Sequence, residues 1–453
     1  MVRAGYDAQR TTDQNKKSWM WANGETADQT NDPAAREILR NRSRYEVGNN
    51  TYAKGLSLTL ANDCVGTGPR LQLQTGKDEL NRDIERDWAA WSATVGLPEK
   101  LRTMRQSKMT DGEVFAQLVT NPEMEGVELD VRLIEADRVT CPASCTLDSR
   151  NIDGVELDQY GNVSGYTVVS ADQLGLAKYG GSYKTIPASQ MMHWFRADRP
   201  GQHRGVPEIT PALELFIQLR RYTLATLKAA ETAADLAVIW SNDAPAYGDS
   251  EVQDGVDHAF DTVEIEPGMI MAAPDGYKPW QIKAEQPVAG YAEFKHELLN
   301  EIARCLNVPY NIAAGNSSGY NYSSGKLDHQ TYYKSVRIEQ AALGEVVLDR
   351  IFAAWLKEAM VVNKYQLTRS EAATIKHVWF FDGMEPVDEL KSANAQAKRL
   401  ESGTTTLAFE YAKQGLDWED QIAQQARELQ KKIELGLIVV DDDDDQGDED
   451  NGE

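Results

Sequence analysis

Gly315-Asn316-Ser317-Ser318-Gly319 fits G-x-S-x-G, the pattern that offers a serine hydroxyl to an acyl group on a sharp turn. That chemistry needs a strand before the serine and a helix directly after it. Here Phe294, Leu298, Ile302 and Leu306 recur every four residues before the motif, which is helical spacing. A serine hydrolase using Ser317 is therefore an alternative that its own context opposes. Gly319 to Lys326 resembles a phosphate-binding P-loop, but five residues separate its glycines, and Leu327 stands where Mg²⁺ needs a hydroxyl. Asp442, Asp444, Gln446, Gly447 and Glu453 fall at positions 1, 3, 5, 6 and 12 of a calcium loop, with Gln446 where Asp or Asn belongs. A solvated acidic tail is the reading preferred there. Cys141 and Cys145 enclose three residues and have no second pair, so no zinc site is assigned. His193, beside Trp194 and Phe195, reads as a half-buried strand residue. No catalytic residue, metal ligand or cofactor site emerges.

The bulk composition narrows the class further. Of 453 residues, 41% are apolar, enough for about three domains at ~150 residues each. No apolar run approaches the eighteen residues of a membrane-spanning helix. The N-terminal stretch is charged without an apolar core and is not read as a signal peptide. Four cysteines point to a reducing compartment. The net charge is −24, and nine acids among the last thirteen residues leave −15 for the rest. Proteins that grip nucleic acid neutralise phosphates with the opposite sign. A tight DNA binder is disfavoured; a surface past which DNA slides is not.

The elements that must position these residues alternate in kind. Residues 1–33 read as an extended arm. Pro33 to Cys64 reads as helix, with Ile38, Leu39, Tyr45, Tyr52, Leu56, Leu58 and Leu60 on apolar faces and a Gly-Pro stop after it. Arg70–Gln74 alternates as a strand and Leu80–Ala93 is helical. From Phe115 to Phe195 the pattern is β, so the body is α+β. Thr210 as cap and Pro211 at the first position open a helix of about 27 residues and ~40 Å, striped by Leu213, Phe216, Ile217, Leu224 and Leu227. An insert over 238–286 contains strands at Val238–Trp240 and Met269–Met271. A second helix, from Ala289 to Leu306, carries Phe294, Leu298 and Ile302. Residues 310–325 read as a mobile polar loop, too poor in apolar side chains to bury a core and long enough to be functional. A long helix follows from Lys326 to Met360, burying Tyr332, Val336, Leu343, Val347, Ile351 and Trp355. Two last helices lie near 389–403 and 417–435.

Several strings carry a likeness. They are Arg44-Tyr45 with Asn49–Gly55, Asn62–Gln72, Asp111-Gly112-Glu113-Val114-Phe115, Ile134–Val139, Arg199–Pro207, Asn307–Tyr310 and Asn321–Ser324. With the order of the elements, they make the chain resemble the portal proteins of tailed phages, specifically the lambda-type family, over residues 40–360.

The resemblance implies a portal fold: an α/β wing, long stem helices, a small α/β clip and a helical crown. By position, 1–33 would be the N-terminal arm, 34–206 the wing, 207–237 the first stem helix, 238–287 the clip and 288–307 the second stem helix. Residues 308–325 would be the tunnel loop, 326–370 the helix returning to the wing, 371–435 the crown and 436–453 a disordered acidic tail. It also implies a ring of about twelve copies at one capsid vertex of the virion, assembled in the bacterial host cytoplasm. Double-stranded DNA would pass non-specifically through its channel during packaging and ejection. Its partners would be the terminase large subunit, the capsid or scaffold protein and a head-completion (adaptor) protein, with no cofactor, no membrane and no catalysis. The loop residues facing DNA would be Tyr310, Asn311, Asn316, Ser317, Ser318, Tyr320, Asn321, Tyr322, Ser323, Ser324 and Lys326, whose hydroxyls, amides and ammonium touch phosphate without reading bases; Lys334 could also reach it. The stem stripe named above would pack subunits together. An acidic interaction scaffold acting through 441–453 is the other alternative.

Overall fold

The computed structural model describes residues 13, 16–20, 22, 24–141, 150–169, 182–234, 238–242, 277–281, 288–319, 321–383, 389–414 and 416–437. The strand expected at Met269–Met271, Cys145, Tyr320 and the acidic tail lie outside them.

The chain enters through a single-turn helix α1 (Ala27–Thr30), then α2 (Pro33–Asn49) and α3 (Thr51–Val65). One helix was expected over Pro33–Cys64, but Asn50 breaks it. Its backbone is extended, and its side chain caps the new helix by accepting from the Tyr52 N–H. The buried face of α2 is not the apolar one either. Ile38 and Tyr45 are exposed, whereas Arg36, Arg40, Ser43 and Glu46 are buried. Strand β1 (Arg70–Leu73) leads to α4 (Asp78–Thr94) and α5 (Leu97–Asp111). No apolar stripe announces α5 in the sequence, because three of the seven residues on its buried face are charged: Arg105, Lys108 and Asp111 beside Leu97, Leu101, Met104 and Met109.

Eight-residue β2 (Glu113–Thr120) is the centre of a three-stranded antiparallel sheet with β3 (Leu129–Ile134) on one side and β8 (Met191–Phe195) on the other. Between them in sequence, β4 (Asn151–Ile152), β5 (Val155–Leu157), β6 (Val163–Val169) and β7 (Tyr183–Pro187) form an antiparallel four-stranded sheet in that order. The α+β class is thus that of the body.

After a 3₁₀ turn, Thr210–Ala212, comes α6 (Leu213–Ala234). Thr210 does not cap it; its hydroxyl donates to the Pro207 carbonyl. The helix has 22 residues, about 33 Å. Strands β9 (Val238–Asn242) and β10 (Tyr277–Gln281) pair antiparallel at its far end, and α7 (Val288–Cys305) returns. The expected loop is largely structured: Tyr310–Ala314 is helix α8, and α9 (Tyr322–Leu343) starts before the loop's assigned end. A π-helical turn, Gly344–Leu348, joins α9 to α10 (Asp349–Val362). Then follow α11 (Arg369–Ala373), β11 (His377–Phe380), which pairs with β1, and helices α12 (Glu389–Glu401), α13 (Leu407–Lys413) and α14 (Trp418–Glu434).

Three cores result. The largest packs α4, α5 and the three-stranded sheet on α10 around Trp88, Trp91, Trp194, Phe352 and Trp355. A second gathers α3, the near ends of α6 and α7, α8 and α9 around Leu56, Phe216, Ile302 and Tyr332. A third lies between the sheets at Phe115, Ile134, Val155 and Tyr166. All six residues expected on the inner face of the helix after Lys326 are buried.

Candidate functional site

The polar turn between α8 and α9 runs from Gly315 to Asn321 and is held at both ends by side chains. Gly315 ends α8 with φ +63°, a conformation that glycine adopts without a Cβ clash. Asn316, Ser317, Ser318 and Gly319 are exposed, and the Asn316 side chain accepts from the Ser318 N–H at 2.9 Å. Asn321 caps α9, its Oδ1 accepting from the Ser324 N–H at 2.9 Å. Ser324 and Lys326 are exposed on the first turns of α9, and Tyr322 and Ser323 lie within them. Tyr320 is outside the described residues. Ser317 follows a helix, not a strand, and among the described residues no imidazole bonds to it. The nucleophile elbow is not formed.

The first residues of the expected loop behave differently. Tyr310 is half-buried, its ring 4.0 Å from that of His296 on α7. Asn311 is 9% exposed and bonded to His329 on α9, because α8 turns it inward against the second core. Its expected place on a DNA-facing surface is corrected on that ground. Sequence spacing gave no hint of His296 or His329.

The stem stripe also divides in two. Leu213, Phe216, Leu298 and Ile302 are buried in the chain's own second core, so they are not available to pack subunits together. Ile217 is half-buried. Beyond that root the helices touch each other: Tyr222 meets Phe294 at 4.7 Å and Tyr291 at 5.5 Å between ring centroids. There Leu224 (59%), Leu227 (56%) and Phe294 (47%) stand exposed.

Four of the strings that carried the likeness, those containing Arg44, Glu113, Asp137 and Arg204, meet in one cluster. Glu113, fully buried, accepts from Arg204 Nη2 at 2.6 Å and Nε at 2.9 Å, Arg40 at 3.2 Å and the Gly205 N–H at 2.9 Å. His193 Nε2 lies 3.1 Å from Glu113 Oε2, the oxygen that also accepts from the Gly205 N–H, and its ring is stacked between Phe115 and Phe195. Burial alone would push the Glu113 carboxyl up, but the Arg204 charge and the bonds from His193 and Arg204 outweigh it and hold the carboxyl well below the usual range. Burial lowers the His193 pKa, so a neutral imidazole donates to a carboxylate. Gly112 and Gly205 permit the approach: a Cβ on Gly205 would lie 2.1 Å from the Gly112 carbonyl oxygen, and one on Gly112 2.3 Å from the Val206 backbone. Arg44 pairs with Asp111 and Asp137 at 2.7 Å, and Arg40 with Asp137 at 2.5 Å. A neighbouring cluster joins Arg105 to Glu208 at 3.0 Å and Lys108 to Glu339 of α9. These groups neutralise one another and leave no reactive member. Burial raises both Cys64, to about 12, and Cys305, so they are thiols. Among the described residues no group of three potential ligands could hold a metal.

The described residues thus offer buried charged joints, a helix pair with exposed apolar side chains and an exposed polar turn. Residues 12–340 match the family described as "Phage portal protein, lambda family", and the chain belongs to it. It is a phage portal protein, and that family is structural, not enzymatic. Among its relatives, the "Probable portal protein" of Halomonas phage phiHAP-1 is 25% identical over 433 residues, covering 88% of this chain and 82% of the relative. "Portal protein B" of Escherichia phage lambda is 22% identical over 443 residues, covering 86% and 83%. A solved structure titled "Neck of empty GTA particle computed with C6 symmetry" aligns with TM-score 0.49 at 15% identity, covering 82% of this chain and 91% of that one.

Proposed function

We propose that copies of this chain close into a ring, about twelve in number, whose axial channel passes double-stranded DNA into and out of a capsid. The bare apolar side chains Leu224, Leu227 and Phe294 carry this reading. A helix pair that leaves the body with large apolar groups uncovered is stabilised by burying them on a neighbour, at about 25 cal/mol per Å². Residues 207–237 and 288–307 then serve as stem, 238–287 as the clip that docks terminase and later the head-completion protein, and 371–435 as crown. The wing, 34–206 with part of 326–370, meets the capsid or scaffold protein. Gly315–Asn321 with Lys326 forms the tunnel loop, offering hydroxyls and amides to phosphate as weak, replaceable partners.

The charge supports a conduit. Non-specific DNA affinities of ~10⁻⁴–10⁻⁶ M correspond to about 5.5–8 kcal/mol, a well that would trap moving DNA at each step. A chain of net −24 repels phosphate over most of its surface. The test is Leu224→Lys with Leu227→Lys in the full chain, read by particle imaging. Wild type should give annular particles with an open centre, and the double variant should not. Wild-type particles lacking an open centre, even with capsid partners present, would refute the reading.

A further inference from the structure

Five residues are too few for a helix to hold itself in water, so side chains must decide where α8 lies. Ile312 and Ala313 seat it on the second core, but apolar contact is non-directional and leaves its rotation open. Directional contacts come from α9. Asn307 Nδ2 donates to Ser335 Oγ, and four residues on, Asn311 Nδ2 lies 2.9 Å from His329 Nε2. The two rungs run antiparallel, 307 with 335 and 311 with 329, and the second is the last before the turn. His329 is braced in turn, its Nδ1 3.5 Å from the Tyr333 hydroxyl. Immediately beyond, the Asn316 N–H returns to the Asn311 carbonyl at 3.0 Å, so the turn starts on the backbone of the residue that makes the rung.

The amide suits this place better than a carboxylate or an apolar group. Asn311 Oδ1 is buried and has no hydrogen-bond partner in the structure. Rotating the amide presents Oδ1 to an Nε2–H and Nδ2 to a bare Nε2, so either tautomer of the imidazole is accepted.

We infer that Asn311 and His329 are positioning residues: their hydrogen bond locks α8 against α9 and so sets where the turn Gly315–Asn321 begins and how it is presented. The significance of that presentation rests on the turn being the DNA-facing tunnel loop. The lock itself does not.

Amide hydrogen exchange over residues 308–321 of the full-length chain tests the lock. His329→Phe keeps a ring against Tyr333 but offers nothing to Asn311, and loss of one buried hydrogen bond should speed exchange there about tenfold. His329→Gln, which can bond to the amide either way, should stay within about threefold of wild type. Asn311→Leu removes the rung from the other side and should match His329→Phe. Amides of α4 and α5 should be unaffected in all three. Equal exchange in the Phe and Gln variants overturns the inference, whether both rise or neither does. Retention of packaged DNA is read separately. Faster exchange in His329→Phe with wild-type DNA retention would overturn the DNA-facing reading and leave the lock standing.

Discussion

Glu113 receives bonds from two arginines, a histidine and a backbone amide at zero exposure. Removing one partner from a buried charged set costs more than the set contributes, since the remaining charge is stranded. Glu113→Gln should therefore destabilise the chain by about 3–5 kcal/mol at pH 7, measured by denaturant unfolding. The sign of the pH effect follows from a carboxyl held below its unfolded value. Its stabilisation is present above the unfolded pKa and is lost as pH falls through the folded one. The wild-type advantage over Glu113→Gln should thus shrink only on strong acidification. Gly205→Ala meets backbone, which cannot step aside as a flexible side chain can. It should be at least as damaging, whereas Gly344→Ala, whose Cβ would find only Trp379 at 3.5 Å, should be tolerated by the same measurement.

At the scale of elements, α14 is attached to the body through its first turn. Its cap Asp417 accepts from Gln72 of β1 at 3.1 Å, and α14 has no buried residue among those described. Close by, Glu85 of α4 accepts from the Leu73 N–H of β1 at 2.5 Å. Burial first, then the charges of Asp417, Glu419 and Asp420, raise the Glu85 carboxyl to about 7. A carboxyl raised on folding carries its penalty once it ionises, so stability falls as pH rises from about 4.5 to 7 and stays lower above that. Glu85→Gln should remove this dependence, leave stability at pH 5 nearly unchanged and raise it at pH 8. Thermal unfolding across that range, with amide exchange at residues 417–421, reads both effects.

For the whole molecule, the central expectation is assembly. Twelve chains of 50.5 kDa give a particle of about 600 kDa, which light scattering with size-exclusion separation distinguishes from a monomer. A ring held by the apolar stem should survive high salt, because hydrophobic contacts are not screened. Deletion of residues 441–453 should leave the ring intact. Loss of assembly or of the main function on that deletion would instead favour the acidic-scaffold alternative.

The sequence by itself determined what depends on local periodicity. Tyr332, Val336, Leu343, Val347, Ile351 and Trp355 lie on one helical face, and all are buried, with only the π turn unforeseen. Strand β1 was legible from alternation, and the β character of the stretch from Phe115 to Phe195 from its pattern. Tertiary structure alone decided the charged faces of α2 and α5, the inward turn of Asn311 and the division of the stem stripe into a buried root and a bare shaft. Arg204 and Glu113 are 91 residues apart, Lys108 and Glu339 231. A buried ion pair is permitted by its partner, and no local pattern announces where that partner is. Apolar periodicity is written within one element; electrostatic complementarity is written between elements, and exists only once they meet.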